Sequence, residues 1–370
     1  MDYAFRKPLH KLIVPIFDIL GTILFLPSRF FKKSIPPDPK NILIVRLDHI
    51  GDFVSTTPLF RNIKAHFPGA RITALVNSAS KDLAFRDPRI DKVISFSPFY
   101  LARNESSSLL KGLRRVVKDI RAIGFDLGMD PRGDLLSILL MWLGGIKYRI
   151  GYGITGGGFF LSKMCKYDDS RHAIDRNMAI LESLNIPVVY RSPEVYFDEK
   201  DKKIVESLIR ELSITLEKSV VMHPFAGTEA KRWMRDNFQK LIEYFISKDR
   251  NVLIVGSKDD SGTFAGATDM RGRMNLPQLA YLIKKTGFFI GLDSGPANIA
   301  AASGAKTIVI CSGTNTPELW LPKMENVRLI YNEVVCRPCG LKICPKEKHI
   351  CMDTVRTEDV IKVMERSWQA

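Results

Sequence analysis

Short apolar runs alternate with stretches of helical periodicity along most of this chain. Residues 41–46, Asn-Ile-Leu-Ile-Val-Arg, form an apolar run closed by polar residues, the pattern of a parallel strand buried on both faces. The spacing then predicts a helix over 58–66, strands over 71–76 and 92–96, a helix over 109–123 and a strand over 125–129. Helices predicted over 173–184 and 201–212 flank a proline-bearing loop, 185–193, with the composition of a linker. The alternation restarts with a strand over 219–223, a helix over 237–247 and a strand over 251–255. It continues with a helix over 276–285 and strands over 288–292 and 306–311.

Strands alternating with helices in this way predict two α/β halves, each with a mainly parallel sheet and its ligands at the carboxyl ends of the strands. The expected organisation is an N-terminal segment, 1–39, followed by Rossmann-like domains over 40–195 and 196–370.

The N-terminal segment has a different pattern. Residues 12–26 are apolar except for Asp18 and Thr22, with Arg6, Lys7 and Lys11 before them and Arg29, Lys32 and Lys33 after. At a rise of about 1.5 Å per residue this run covers about 22 Å, short of a hydrocarbon core of roughly 30 Å. Pro15 and Asp18 weaken a spanning reading further, and Leu26-Pro27-Ser28-Arg29 is a poor signal-peptidase site. The expectation is a helix lying in the membrane interface, its basic flanks on anionic headgroups. A true span, a packed helix and a signal peptide remain as alternatives.

Charge sharpens this picture. Of 370 residues, 55 are Lys or Arg against 40 Asp or Glu, a net charge of +15 that implies an anionic partner. No zinc-finger, RNP1 or arginine-rich signature is present, so phosphorylated substrates and anionic lipid are expected rather than nucleic acid. Hydrophobic content of 45% and charged content of 26% exclude a disordered chain and a polytopic membrane protein.

Three turns could carry chemistry. The first follows the opening strand, where Gly51-Asp52 leads into Ser55, Thr56, Thr57 and Pro58 and so into a helix. Small residues there would let a ligand approach the backbone, and either Asp48 or Asp52 could act as a general base toward a hydroxyl or merely cap the helix. The second runs from His223 and Pro224 through Gly227 and Thr228 to Lys231, Arg232 and Trp233, a strand-exit loop with two cations suited to a diphosphate. The third is Gly291-Leu-Asp-Ser-Gly-Pro-Ala-Asn298, in which the amides of Ser294, Gly295 and Ala297 could face phosphate at a helix start. Neither a dinucleotide fingerprint nor a Walker A loop occurs, which counts against an NTPase or kinase.

Near the C-terminus, Cys336, Cys339, Cys344 and Cys351 follow a C-x2-C-x4-C-x6-C spacing with His349 inside. Four thiols so close could hold one structural zinc, and free thiols or disulfides are the alternatives. Cys165 and Cys311 stand alone, the latter in a predicted core strand.

Taken in this order, the three turns resemble glycosyltransferase family 9, the ADP-heptose:lipopolysaccharide heptosyltransferases, over about nine-tenths of the chain. The resemblance implies a GT-B fold, with an N-terminal acceptor domain and a C-terminal nucleotide-sugar donor domain facing across a cleft. It implies an inverting transfer without a catalytic cofactor, from ADP-heptose to a lipopolysaccharide or lipid-linked acceptor, in a cytoplasmic enzyme peripheral to the inner membrane. The motif match puts the catalytic base on Asp52, the diphosphate lysine on Lys231, and donor binding on Thr228, Asp293, Ser294 and Gly295. Two positions depart from the pattern: Asn298 stands where the family commonly has histidine, and Lys258 where an acidic residue often meets the donor ribose. A nucleotide-sugar epimerase and a non-catalytic binding protein are the competing expectations.

Overall fold

The computed structural model describes residues 8–30, 34–98 and 109–367, with side chains for 12–26, 34–98 and 110–367. Arg6, Lys7, Lys32 and Lys33 of the expected anchor lie outside these residues, as do the side chains of Lys11 and Arg29. The chain divides into two compact units, Met1–Arg191 and Ser192–Ala370.

The first unit holds a six-stranded parallel sheet: β1 (Asn41–Arg46), β2 (Arg71–Val76), β3 (Lys92–Ser95), β4 (Leu127–Asp130), β5 (Tyr148–Gly151) and β6 (Lys163–Met164). Its order is β3-β2-β1-β4-β5-β6, the doubly wound arrangement. The helices are α1 (Pro8–Phe30), α2 (Ile50–His66), α3 (Lys81–Arg86), α4 (Leu109–Ile123), α5 (Leu135–Leu143) and α6 (Ala173–Ser183). Leu43 and Val45 of β1 pack with Leu75, Val116, Ile120 and Phe125 into a fully buried core.

Helix α2 starts eight residues earlier than the pattern predicts. Asp52 Oδ2 accepts the His49 N–H at 3.3 Å, which caps the first turn. Pro58 is tolerated inside because Thr57 Oγ1 donates at 2.8 Å to the Val54 carbonyl that proline leaves without a partner. Ser55 and Thr56 donate to the Asp52 carbonyl, each at 2.8 Å, and Asn177 of α6 donates to the Ser55 carbonyl at 2.9 Å. The Ser/Thr run is thus buried helix packing, and the expectation that it lets a ligand reach the backbone is corrected.

Helix α1 docks on this unit. The Phe17 and Phe25 rings lie 5.3 and 5.5 Å from Phe159, and Phe25 lies 5.1 Å from Phe160. Asp18 is buried and accepts the Gly157 N–H at 2.7 Å. Gly21 is required at the contact, since a Cβ there would stand 2.2 Å from the Phe159 ring. No described helix is long and apolar enough to cross a membrane.

The second unit repeats the plan with β7 (Ser219–His223), β8 (Asn251–Ile254), β9 (Thr268–Asp269), β10 (Phe288–Leu292), β11 (Lys306–Ile310) and β12 (Val327–Ile330). The order β9-β8-β7-β10-β11-β12 is again doubly wound and parallel. Its helices are α7 (Glu199–Glu211), α8 (Arg235–Ser247), α9 (Leu276–Thr286), α10 (Gly295–Ala302), α11 (Pro317–Trp320), α12 (Ile350–Asp353) and α13 (Thr357–Ser367). Trp233, expected in the phosphate loop, is instead core: its indole donates to the Val355 carbonyl at 2.8 Å and stacks edge-on to Phe238. Cys311 is fully buried, as its strand position predicts.

Candidate active site

In each doubly wound sheet the chain leaves two adjacent strands toward opposite faces, which opens a crevice at their carboxyl ends. The crevice falls between β1 and β4 in the first unit and between β7 and β10 in the second. The candidate residues sit at these four exits.

At the β1 exit, Arg46 meets both candidate carboxylates. Its Nε lies 3.1 Å from Asp48 Oδ1 and its Nη2 lies 3.6 Å from Asp52 Oδ1. Arg46 also donates to the Asp52 carbonyl at 3.2 Å, which ties the strand end to the helix start. The Asp52 side chain is 21% exposed and open to a substrate, whereas Asp48 is buried. Burial pushes the Asp48 carboxyl up to about 7; Arg46 opposes this and the Asp52 charge adds to it. Asp130, at the β4 exit, is likewise pushed up to about 7 by burial and by Asp134, although it accepts the amides of Arg132 and Asp134 at 3.0 and 3.1 Å.

The folded protein holds the Asp48 proton up to about pH 7, whereas an unperturbed carboxyl loses it near 3.8. The contribution is therefore complete below the lower value and lost as pH rises through the upper one. Relative to wild type, Asp48→Asn should gain Tm on going from about pH 4 to about pH 8. A difference that stays flat across thermal melts in that range would show that folding does not push the Asp48 carboxyl up.

The second unit carries a cation-bearing cluster. Lys231, closing the short turn Glu229–Lys231 after β7, places Nζ 2.7 Å from Asp293 Oδ2 at the β10 exit. Asn315 donates to the same oxygen at 2.9 Å. Ser294 donates to the Leu292 carbonyl at 2.9 Å, so its contact of 3.2 Å with His223 Nδ1 makes that nitrogen the donor. Burial pushes His223 down to about 4, against the Asp260 charge, so the ring is neutral at physiological pH. As N-cap of α10, Ser294 makes no side-chain cap, which leaves the first-turn amides of Gly295 and Ala297 for an anion. Thr228 Oγ1 and Asn315 Oδ1 are shielded from solvent and have no hydrogen-bond partner among the described residues. Ammonium, helix start and orphaned hydroxyl together suit a diphosphate.

The structure therefore brings Lys231, Asp293, Ser294 and Gly295 together with Thr228 on the adjoining turn, while Asp52 stands in the other unit with Asp48. Sequence reasoning passed over Arg46, Asp130 and Asn315. Asp130 carried a usable signal, a strand running into the charged turn Pro131-Arg-Gly-Asp134. Lys258 lies along Gly272, where a Cβ would meet it at 2.1 Å, and Asp260 caps that loop by accepting the Ser257 N–H at 2.7 Å. All six cysteines are free thiols, and among the described residues no three His, Cys, Asp or Glu side chains are gathered to hold a metal ion. Cys351 is buried and Cys336 exposed; burial, and then the charges of the other three cysteines, push the Cys351 thiol up.

The sequence profile of glycosyltransferase family 9 (heptosyltransferase) matches residues 113–350. Lipopolysaccharide heptosyltransferase 3 of Escherichia coli K12 is 26% identical over 296 residues, covering 75% of this chain and 83% of its own. A family 9 glycosyltransferase from Veillonella parvula shares the fold with a TM-score of 0.76 at 20% identity, covering 89% of this chain and 97% of its own. The ADP-heptose lps heptosyltransferase II of E. coli superimposes with a TM-score of 0.70 at 19% identity, over 88% of this chain and 98% of its own.

Proposed function

This chain belongs to glycosyltransferase family 9, and from that premise we propose that it transfers a heptose from ADP-heptose to a lipopolysaccharide core acceptor, with inversion at the anomeric carbon. The carrying observation is the anion site at the exits of β7 and β10, where Lys231 meets Asp293 at 2.7 Å beside the open helix start of α10. The name of the E. coli relative supports ADP-heptose as the donor. In this reading the acceptor hydroxyl attacks the anomeric carbon and gives its proton to Asp52. The bond from that carbon to the diphosphate oxygen breaks, and ADP leaves. Lys231 and the α10 amides stabilise the charge that grows on the diphosphate. Arg46 holds Asp52 in place for the transfer.

An epimerase would use the same anion site without an acceptor; the partly exposed carboxylate of Asp52 in the other unit favours transfer. The acceptor is lipid-linked in this reading, and the work is assigned to the cytoplasmic face of the inner membrane.

Calorimetric titration with a panel of nucleotide sugars, followed by mass-spectrometric transfer assays onto a core fragment, tests the proposal. ADP-heptose should bind at least about tenfold tighter than UDP- or GDP-sugars, a difference of about 1.4 kcal/mol. Equal binding of all three nucleotides, or turnover of the sugar without an acceptor, would count against it.

A further inference from the structure

Helix α1 is inside out. A surface helix of a soluble protein buries its apolar stripe and presents polar residues to water. Here the stripe against the protein contains Asp18, Gly21 and Thr22, with Val14 and Phe25, whereas Leu12, Ile16, Ile19, Leu20, Ile23 and Leu24 face outward. Leu20, Ile23 and Leu24 are 62%, 64% and 76% exposed. The docking is specific, because Asp18 spends its carboxylate on the Gly157 amide and Gly21 fits under the Phe159 ring.

The apolar surface continues beyond the helix. Phe25 lies 5.9 Å from Trp142 of α5, which is partly exposed, as is the adjoining Leu143. Leu143 lines a groove of about 510 Å³ with Leu110, Leu113 and Val117 of α4, and three cations, Arg114, Lys118 and Arg121, line the same groove. Arg121 Nε donates to the Leu143 carbonyl at 2.8 Å, fixing α4 to α5 at this point.

We propose that the outer face of α1, continued across Trp142 and Leu143 into the basic groove of α4, docks on an anionic lipid bilayer. The occupant follows from the chemistry. An outward row of aliphatic side chains too short to span is suited to the acyl boundary of one leaflet. The cations beside it match lipid phosphates, in a chain of net charge +15. Because α1 is pinned to the unit that carries Asp52, membrane contact would fix the orientation of that unit rather than merely tether it. The inference rests on the lipid-linked acceptor proposed above for its purpose, but not for its geometry.

The test is co-sedimentation of the full-length protein with phosphatidylcholine vesicles with and without phosphatidylglycerol. Wild type should pellet with the anionic vesicles; the pair Leu20→Glu and Leu24→Glu should lower partitioning by about tenfold or more. The pair Arg114→Glu and Lys118→Glu should abolish the preference for phosphatidylglycerol. Unchanged melting and ADP binding in each variant establish that the fold and the donor site are intact, and failure of ADP binding in wild type would instead count against the donor reading. The proposal is overturned if wild type stays in the supernatant, or if the leucine variant pellets like wild type. It is equally overturned if ultracentrifugation shows a dimer that the leucine variant splits and no vesicle binding, which would make a second copy the occupant.

Discussion

Asp52→Asn should slow transfer by roughly 10²–10⁴-fold, the usual worth of a general base, while ADP-heptose binding stays at the wild-type level. The amide can still accept the His49 N–H that caps α2, so the fold of the turn should survive. What is lost is the ability to take a proton from the acceptor hydroxyl. The donor is unaffected because its proposed contacts all belong to the second unit. Asp48 supplies an internal control, since it shares Arg46 but is buried and favours its neutral form. Single-turnover rates for Asp52→Asn and Asp48→Asn separate the two carboxylates. If Asp52→Asn turns over near the wild-type rate while Asp48→Asn does not, the base is Asp48.

Lys231→Ala should weaken donor affinity and lower kcat together, the latter by about 10²–10³-fold if Lys231 acts as an electrostatic donor to the leaving diphosphate. The loss should exceed that of one attractive charge. Without Lys231, the Asp293 carboxylate keeps only Asn315 as a described partner and faces the diphosphate uncompensated. Adding Asp293→Asn to Lys231→Ala should therefore recover part of the affinity. Lys231→Arg should fall between wild type and alanine, because guanidinium keeps the charge but changes the geometry. Donor titrations of the four proteins decide the matter. Unaltered affinity and kcat in Lys231→Ala would remove Lys231 from the site, and a double variant no better than the single one would assign the loss to Lys231 alone.

Much of the fold was legible because buried parallel strands are continuous apolar runs. β1, β2, β7 and β10 coincide with the expected spans for that reason. β5 was missed because Tyr-Arg-Ile-Gly interrupts its apolar pattern, and α5 because Leu135–Leu143 is apolar nearly all round and has no stripe to detect. α2 was begun too late, since a proline read as a helix start sits in its interior once a threonine hydroxyl replaces the missing donor.

The functional turns were likewise local. A strand exit followed by glycine and a helix start is written in consecutive residues, so Asp52, Lys231 and Asp293 could be named without a structure. Asp130 and Arg46 were also within local reach, Asp130 through the charged turn after its strand and Arg46 as the strand end beside Asp48 and Asp52, whereas Asn315 was not, because only the fold carries it back across β11 to the Asp293 carboxylate.

The N-terminal helix divides the two kinds of information most clearly. Its apolarity, its shortness for a span and the net charge of the chain follow from composition and length. Which of its faces meets the protein does not, because helical periodicity ranks the faces by polarity and predicts that the apolar one is buried. Tertiary structure reversed that order: the Gly157 amide satisfies the Asp18 carboxylate, and the Phe159 ring fills the space over Gly21. A buried polar group is stable once its partner is in place, and only the folded chain could supply the partner.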